Sequence, residues 1–204
     1  TDTFEDIEGI IGGSGDDELT GNAGENTLIG NAGDDTLLGK GATSGVDYLD
    51  GGEGEDFVSF KDSGSGIKVD LSKTSAQDTN GDNSDDLIIK DVENIEVSNH
   101  QDEITGNSSN NIIKGLDGGD SIISSGGTDT IYGGDESSDN STNDIVDYSN
   151  QNAKITVTTS SDTYSVDKVE TGTTDTLDGI DTIIATNHND ELTGGNSKDI
   201  FYGK

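Results

Sequence analysis

The chain has 204 residues, of which 43 are acidic and 10 are basic; its formal net charge is −33 and only 26% of its residues are hydrophobic. This balance is typical of a disordered chain, and it excludes nucleic-acid binding because backbone phosphates would be repelled. No apolar run approaches the roughly 20 residues of a membrane span, so we expect no membrane insertion.

The first predicted elements belong to a nine-residue repeat. Glycine occupies positions 1 and 4, Asp or Asn occupies position 6, and an apolar residue occupies position 8. Because glycine tolerates positive φ, we expect a tight turn at each glycine pair and a short strand around position 8, whose side chain faces inward. The units of the first block are GGSGDDELT from Gly12, GNAGENTLI from Gly21, GNAGDDTLL from Gly30, a stretched unit from Gly39 to Asp50, and GGEGEDFVS from Gly51.

A longer period contains the short one. Asp102 follows Asp17 by 85 residues, and Asp190 follows Asp102 by 88. The segments GIKVDL from Gly66 and AKITVT from Ala153 occupy equivalent places between repeat blocks, and their alternation of apolar residues predicts strands. The predicted divisions are a lead-in with the first block (1–59), a β-rich connector (60–96), a second block (97–146), a second connector (147–184) and the start of a third block (185–204).

Position 6 carries the predicted chemistry. Two units make one coil, so like turns stack every second unit, about 4.8 Å apart. Stacked carboxylates and turn carbonyls offer the hard oxygen ligands that Ca²⁺ prefers, and without an ion the carboxylates repel one another, so calcium binding and folding are expected to be one event. The predicted metal ligands are Asp17, Asn26, Asp35, Asp47, Asp56, Asp102, Asn111, Asp120, Asp129, Asp144, Asp190 and Asp199.

The units GGSGDDELT and GGEGEDFVS match the pattern GGxGxDxUx, and the array resembles the repeat-in-toxin (RTX) family of calcium-binding nonapeptides. The unit GNSSNNIIK departs from the pattern because it lacks the second and third glycines. The resemblance implies an all-β fold of tandem short parallel β-rolls joined by β-rich connectors. Pairing like turns gives roughly three Ca²⁺ ions per full block.

The resemblance also implies a function. The leading hypothesis is a non-catalytic structural repeat of a secreted or cell-surface bacterial protein, such as an adhesin, an S-layer subunit or a matrix filament, exported by type I secretion. Its partners would be Ca²⁺ and either further copies of itself, head to tail, or flanking repeats of a longer chain. The alternative is an accessory module of a secreted enzyme or toxin, such as a protease, a lipase or an alginate epimerase.

The two edges of each predicted roll differ in charge. Within each block the odd-numbered turns carry only Asp at position 6, whereas the even-numbered turns include Asn26 and Asn111. We therefore predict fuller calcium occupancy on the odd edges. Those edges are Asp17, Asp35 and Asp56 in the first block and Asp102, Asp120 and Asp144 in the second.

Other candidate sites are weaker. The acidic loop from Asp78 to Asp86 spaces oxygen ligands like an EF-hand, but its glycine is misplaced and the closing Glu is missing. His100 and His188 occupy equivalent places in separate copies, which fits turn residues better than a shared site. No HExxH or GxSxG motif and no cysteine occurs, so no enzyme activity is expected. The five tyrosines are scattered and are expected at exposed strand faces.

Overall fold

The computed structural model describes residues 8–39, 45–134, 143–161, 163–195 and 199–204. The lead-in before residue 8, the inserted parts of the two stretched units, Asp162 and residues 196–198 of the last unit lie outside these ranges. Within the described part of the chain, all regular elements are strands, numbered β1 to β20 in chain order. This confirms the predicted all-β class.

The strands form three sheets. The four-stranded sheet holds, in spatial order, β1 (Gly9–Ile11), β3 (Thr27–Ala32), β5 (Asp47–Glu53) and β8 (Leu87–Lys90). The six-stranded sheet holds β20 (Ile200–Tyr202), β18 (Thr182–Ile184), β14 (Ile145–Asp147), β12 (Ser121–Ile123), β10 (Glu103–Thr105) and β7 (Lys68–Asp70). The ten-stranded sheet holds β19 (Glu191–Leu192), β15 (Ile155–Ser160), β16 (Thr163–Lys168), β17 (Thr173–Asp178), β13 (Thr130–Tyr132), β11 (Ile112–Lys114), β9 (Asn94–Glu96), β6 (Phe57–Ser59), β4 (Thr36–Leu38) and β2 (Glu18–Thr20).

Repeat position 8 forms the core, as predicted. In the parallel register Leu28 lies opposite Leu49, and Ile104 lies opposite Ile122, so that identical repeat positions stack from coil to coil. Burying each such aliphatic side chain stabilises the fold by about 2 kcal/mol. Ten of these side chains are buried and the last two are partly buried: Leu19, Leu28, Leu37, Leu49, Val58, Ile104, Ile113, Ile122, Ile131 and Val146, then Leu192 and Phe201.

The connectors supply coils of the same solenoid. Strand β9 of the first connector pairs with β6 of the first block and with β11 of the second, so the ten-stranded sheet runs through both blocks. Its Ile95 stacks between Val58 and Ile113. In the second connector β15, β16 and β17 form an antiparallel meander, and β17 pairs in parallel with β13. The divisions at residues 59, 96, 146 and 184 stay predictions about sequence periodicity.

The two repeat glycines do different work. Position 4 adopts positive φ in several units, for example 117° at Gly33 and 140° at Gly118, as a tight turn requires. The expectation of positive φ at position 1 is wrong. There, at Gly12, a Cβ would lie 2.6 Å from the Asp17 Oδ2 and 2.7 Å from the Gly30 carbonyl oxygen. Glycine is needed at position 1 because a carboxylate and the next coil approach its Cα.

The expectation for the tyrosines is also partly wrong. Tyr148 and Tyr164 are buried in the core, whereas Tyr132 and Tyr202 are exposed. Tyr148 can be buried because its hydroxyl donates a hydrogen bond to the buried Asp175 Oδ2 at 3.0 Å.

Candidate metal centre

The position-6 side chains line up in rows along the sheet edges, and each row is tied by hydrogen bonds between coils. The Asp17 amide donates to the Asp35 Oδ1, and the Asp35 amide donates to the Asp56 Oδ1, both at 2.8 Å. In the second block the Asp102 amide donates to the Asp120 Oδ1 at 2.9 Å, and the Asp120 amide donates to the Asp144 Oδ1 at 2.8 Å. One oxygen of each accepting carboxylate is therefore committed to the backbone of the neighbouring coil.

The rows follow the sheets and continue across the blocks. The turns beside the ten-stranded sheet are the odd turns of the first block and the even turns of the second. The change occurs at the first connector, which contributes β7, β8 and β9 to the three different sheets and places β9 between the two blocks. This row includes Asp17, Asp35, Asp56, Glu93, Asn111, Asp129 and Asp175. A second row, beside the six-stranded sheet, holds Asp102, Asp120, Asp144 and Asp181. A third, beside the four-stranded sheet, includes Asn26 and Asp47.

The sequence prediction missed three members of these rows: Glu93, Asp175 and Asp181. Each stands two residues before a buried aliphatic side chain, namely Ile95, Leu177 and Ile183, which is the same spacing as positions 6 and 8 of the repeat. That spacing, searched without requiring glycines, is the sequence signal that would have found them.

Six of the predicted residues sit in closed turns, in which the position-2 amide donates to the position-6 side chain. The Gly13 amide donates to the Asp17 Oδ2 at 2.6 Å, and the Asn107 amide donates to the Asn111 Oδ1 at 2.9 Å. In these turns the backbone already satisfies the side-chain oxygen that faces the turn. The closed-turn residues are Asp17, Asn26, Asp102, Asn111, Asp190 and Asp199.

Three predicted residues sit in turns in which the Oδ2 atom of the position-6 carboxylate has no hydrogen-bond partner, and we call these open turns. Asp35, Asp56 and Asp120 are each at most 1% exposed, and the Oδ2 atom of each is buried without a hydrogen-bond partner. In these units the position-2 residue has positive φ: 82° at Asn31, 108° at Gly52 and 63° at Leu116. The turn of these units thus differs from that of the closed turns, in which the position-2 amide reaches the carboxylate.

Main-chain oxygens lie beside the orphaned carboxylate oxygens. A Cβ on Gly30 would meet both the Asp35 Oδ2 and the Gly51 carbonyl oxygen. One on Gly115 would meet both the Asp120 Oδ2 and the Gly133 carbonyl oxygen. Each open turn therefore has a cradle, which we define as the space at the position-1 glycine between its own carboxylate and the carbonyl of the next coil.

Burial makes the negative charge in the open turns costly. Burial first, and then repulsion from the neighbouring carboxylates of Asp35 and Glu93, raise the pKa of Asp56 to about 6, although the hydrogen bond from the Asp35 amide opposes the shift. Burial likewise raises the pKa of Asp120 to about 8, with additional repulsion from Asp102 and Asp144, although the hydrogen bond from the Asp102 amide opposes the shift. The open turns of Asp56 and Asp120 are therefore stabilised by neutralisation, either by a proton or by a cation.

The remaining predicted residues are Asp47, Asp129 and Asp144. All three are buried, and Asp47 and Asp144 each accept a hydrogen bond from the neighbouring coil. The turns that precede Asp47 and Asp144 contain residues outside the described ranges. Asp129 differs from the others because the ammonium group of Lys168 lies 3.3 Å from its Oδ2.

In the acidic loop between Asp78 and Asp86, backbone amides of the loop itself donate hydrogen bonds to its side-chain oxygens. Asp78 accepts hydrogen bonds from the amides of Gly81 and Asn83, at 2.7 and 2.8 Å, and Asn80 accepts one from Asp82 at 2.9 Å. These bonds hold the loop and lower the pKa of Asp78. The extra calcium site considered there stays an untested alternative.

The chemistry available in the open turns is that of a hard cation site. In the described part of the chain, no three acidic or histidine side chains converge into a metal-ligand cluster, so main-chain carbonyls have to complete any such site. Buried carboxylate oxygens beside carbonyl oxygens are ligands that suit Ca²⁺. None of the described residues forms a helix long and apolar enough to cross a membrane.

Comparison with known families agrees with this chemistry. The family described as RTX calcium-binding nonapeptide repeat matches four segments of the chain, residues 10–41, 42–60, 105–137 and 175–204. No curated protein sequence matches the chain. The four segments cover more than half of the 204 residues and contain all three open turns, and the chain belongs to the RTX calcium-binding nonapeptide repeat family.

Proposed function

We propose that the chain is a non-catalytic, calcium-binding structural segment of a secreted or cell-surface bacterial protein, and that it folds on meeting extracellular Ca²⁺. The observation that carries this proposal is the set of three orphaned carboxylate oxygens in the open turns, at Asp35, Asp56 and Asp120. A buried carboxylate oxygen without a partner is costly, and a calcium ion would supply the missing partner and the missing positive charge.

The open turns would hold the ions most tightly. Asp35 would act with the carbonyl of Gly51, Asp56 with that of Asp91, and Asp120 with that of Gly133. The other position-6 residues would line the rows between them. Two of the favoured residues belong to the odd edge of the first block and one to that of the second, which supports the predicted preference for odd edges.

A calcium titration followed by circular dichroism tests the proposed function. With excess chelator we expect the chain, which has a net charge of −33, to lose most of its β signal, because the row carboxylates then repel one another without compensation. About 1 mM Ca²⁺ should restore the signal, as expected for an extracellular calcium module. The same concentration of Mg²⁺ serves as the control and should not restore it, since Mg²⁺ requires a stricter octahedral geometry. An unchanged β signal in chelator would contradict the proposal.

The free sheet edges support assembly along the solenoid axis. Strands β2 and β19 form the two edges of the ten-stranded sheet, and β20 forms one edge of the six-stranded sheet. Edge strands present unpaired backbone groups that another coil can pair with, whether it comes from flanking repeats or from a second copy. We propose this as the basis of an adhesin, S-layer or filament role, and light scattering with and without Ca²⁺ would detect self-association.

The calcium-free chain should be more stable in mild acid than at alkaline pH. The pKa values of Asp56 and Asp120 are raised to about 6 and about 8 in the folded state, above the value of 3.8 that applies when they are exposed. Between the unfolded and folded pKa the folded state binds more protons, so each such carboxyl lowers the unfolding free energy by up to about 1.4 kcal/mol per pH unit as pH rises.

Circular dichroism of calcium-stripped protein at pH 5.5 and at pH 8.5 measures this dependence. We expect the larger residual β signal at pH 5.5. With saturating Ca²⁺ the urea midpoint should instead be higher at pH 8.5, because protons compete with calcium for the same oxygens. A calcium-free β signal that increases with pH would contradict the burial of these carboxyls.

A further inference from the structure

A lysine lies buried in one row of turns. Lys168 is the last residue of β16, and it faces inward together with Tyr164 and Val166, so that only 2% of it is exposed. Its ammonium nitrogen lies 2.7 Å from the Asp175 Oδ1 and 3.3 Å from the Asp129 Oδ2. It also donates to the Ser125 carbonyl oxygen at 3.1 Å.

These three acceptors are of the same kinds as those of an open turn. Asp129 is the position-6 residue of its unit, Asp175 is the equivalent residue of the next coil, and Ser125 lies in the turn of the Asp129 unit. An ammonium group has three N–H donors, which matches the three oxygens. The coil-to-coil bond is also present, because the Asp129 amide donates to the Asp175 Oδ1 at 2.9 Å.

No carboxylate oxygen is orphaned here. Within the described residues the buried carboxylate oxygens without a hydrogen-bond partner belong to Asp35, Asp56 and Asp120, none of which forms an ion pair with a lysine. At the Asp129 turn the second Asp175 oxygen accepts from the Tyr148 hydroxyl, and the Asp129 Oδ2 receives the ammonium. The lysine therefore supplies what the open turns lack, a positive charge and a partner for the Oδ2 atom of the position-6 carboxylate.

The neighbouring turn of the same row is closed by another nitrogen donor. The side-chain Nδ2 of Asn111 donates to the Glu93 carbonyl oxygen and to the Asn107 Oδ1, both at 2.8 Å. Along the ten-stranded sheet, therefore, the row begins with orphaned carboxylates at Asp35 and Asp56. Further along, its turns are filled by side-chain nitrogens, from Asn111 and from Lys168. The change occurs within a single continuous sheet.

We propose that Lys168 takes the place of a calcium ion at the Asp129 turn, so that the coil that contains β13 and the next coil, which contains β17, stay joined without calcium. This inference rests on the proposed function, since it assumes that the open turns bind Ca²⁺. It gives the roll two kinds of junction between coils: those that form on an ion from outside, and one that carries its own cation. The coils joined by Lys168 are then a folded template against which the calcium-dependent coils form.

Hydrogen exchange of the unaltered chain, with calcium and with excess chelator, tests the proposal. The amides of Asp102 and Asp120 join neighbouring coils in the row beside the six-stranded sheet, where calcium is proposed to bind. Those of Asp129 and Thr176 join the two coils that Lys168 holds together. On removing calcium we expect exchange of the first pair to accelerate by roughly 100-fold or more, and that of the second pair by less than about tenfold. Equal acceleration of both pairs would overturn this inference alone. If neither pair responds to calcium, the proposed function falls together with the inference.

Counting bound ions in a lysine variant gives an independent test. Lys168→Met leaves two buried carboxylates and a carbonyl that a calcium ion can occupy, so native mass spectrometry should find one more Ca²⁺ than in the unaltered chain. In chelator its Asp129 and Thr176 amides should lose their protection. The matched control is Lys154→Met, which removes a half-exposed lysine paired with Glu191 at 3.0 Å and should leave the ion count unchanged. An unchanged ion count and retained protection in Lys168→Met would contradict the proposed role.

Discussion

Replacing Asp120 by Asn should have opposite effects on the calcium-loaded and calcium-free chain. Asn keeps an oxygen for the hydrogen bond that Asp120 accepts from the Asp102 amide, but it removes the charge of a carboxylate whose pKa is raised to about 8 by burial. With calcium we expect the calcium midpoint of folding to rise at least tenfold, about 1.4 kcal/mol, because a charged ligand is lost. In chelator the variant should retain more β signal than the unaltered chain, because an uncompensated buried charge is gone.

The matched control is Asp178→Asn, which removes the same charge from an exposed side chain at the end of β17. It should shift the calcium midpoint by no more than about 0.5 kcal/mol and leave the β signal in chelator close to that of the unaltered chain. Because the net charge falls equally in both variants, any difference between them reports the buried site and not the overall repulsion. If Asp120→Asn destabilises the calcium-free chain, the orphaned oxygen is not a source of repulsion and the open turn is not a cation site.

The fold could be predicted because the repeat specifies it locally. An apolar residue at position 8 in every unit, including Leu37, Val58 and Ile122, is sufficient to define an inward-facing ladder, and these three side chains are fully buried. The connectors were harder to interpret. Ile95 and Leu177 extend the same ladder from segments that have lost the repeat glycines, so only the spacing of positions 6 and 8 is left of the nonapeptide pattern to identify them.

The site could be predicted only as a set of rows. Whether a turn is open or closed depends on φ at position 2, where Asn31, Gly52 and Leu116 share a conformation but no chemical property. Lys168 acts on Asp129 from 39 residues away along the chain, through the antiparallel meander, and repeat periodicity carries no information about that contact. The available hint was the alternation of Tyr164, Val166 and Lys168, which places a lysine in the inward-facing register of a strand.

Replacing Gly115 by Ala should remove the cradle at Asp120 by filling it. The added Cβ would lie 2.5 Å from the Asp120 Oδ2 and would also collide with the carbonyl oxygen of Gly133, which belongs to the backbone of the next coil and cannot rotate away. Gly115 does not adopt positive φ, so the effect is steric and not conformational. We expect a loss of about 3 kcal/mol in the unfolding free energy with calcium bound, the upper range for overpacking, together with the loss of at least one ion.

Gly15→Ala is the control for this substitution, because it changes a repeat glycine at position 4 that has no atom within 4 Å of the added Cβ and no positive φ. It should alter neither the ion count nor the stability by more than about 0.5 kcal/mol. Urea unfolding and native mass spectrometry of both variants in calcium provide the comparison. If Gly115→Ala retains all of its ions, the space beside the position-1 glycine is not where calcium binds, and position 1 is glycine only to let the coils stack. If it loses an ion while Gly15→Ala does not, the glycine at position 1 is required because the Asp carboxylate and the neighbouring carbonyl must meet at that point.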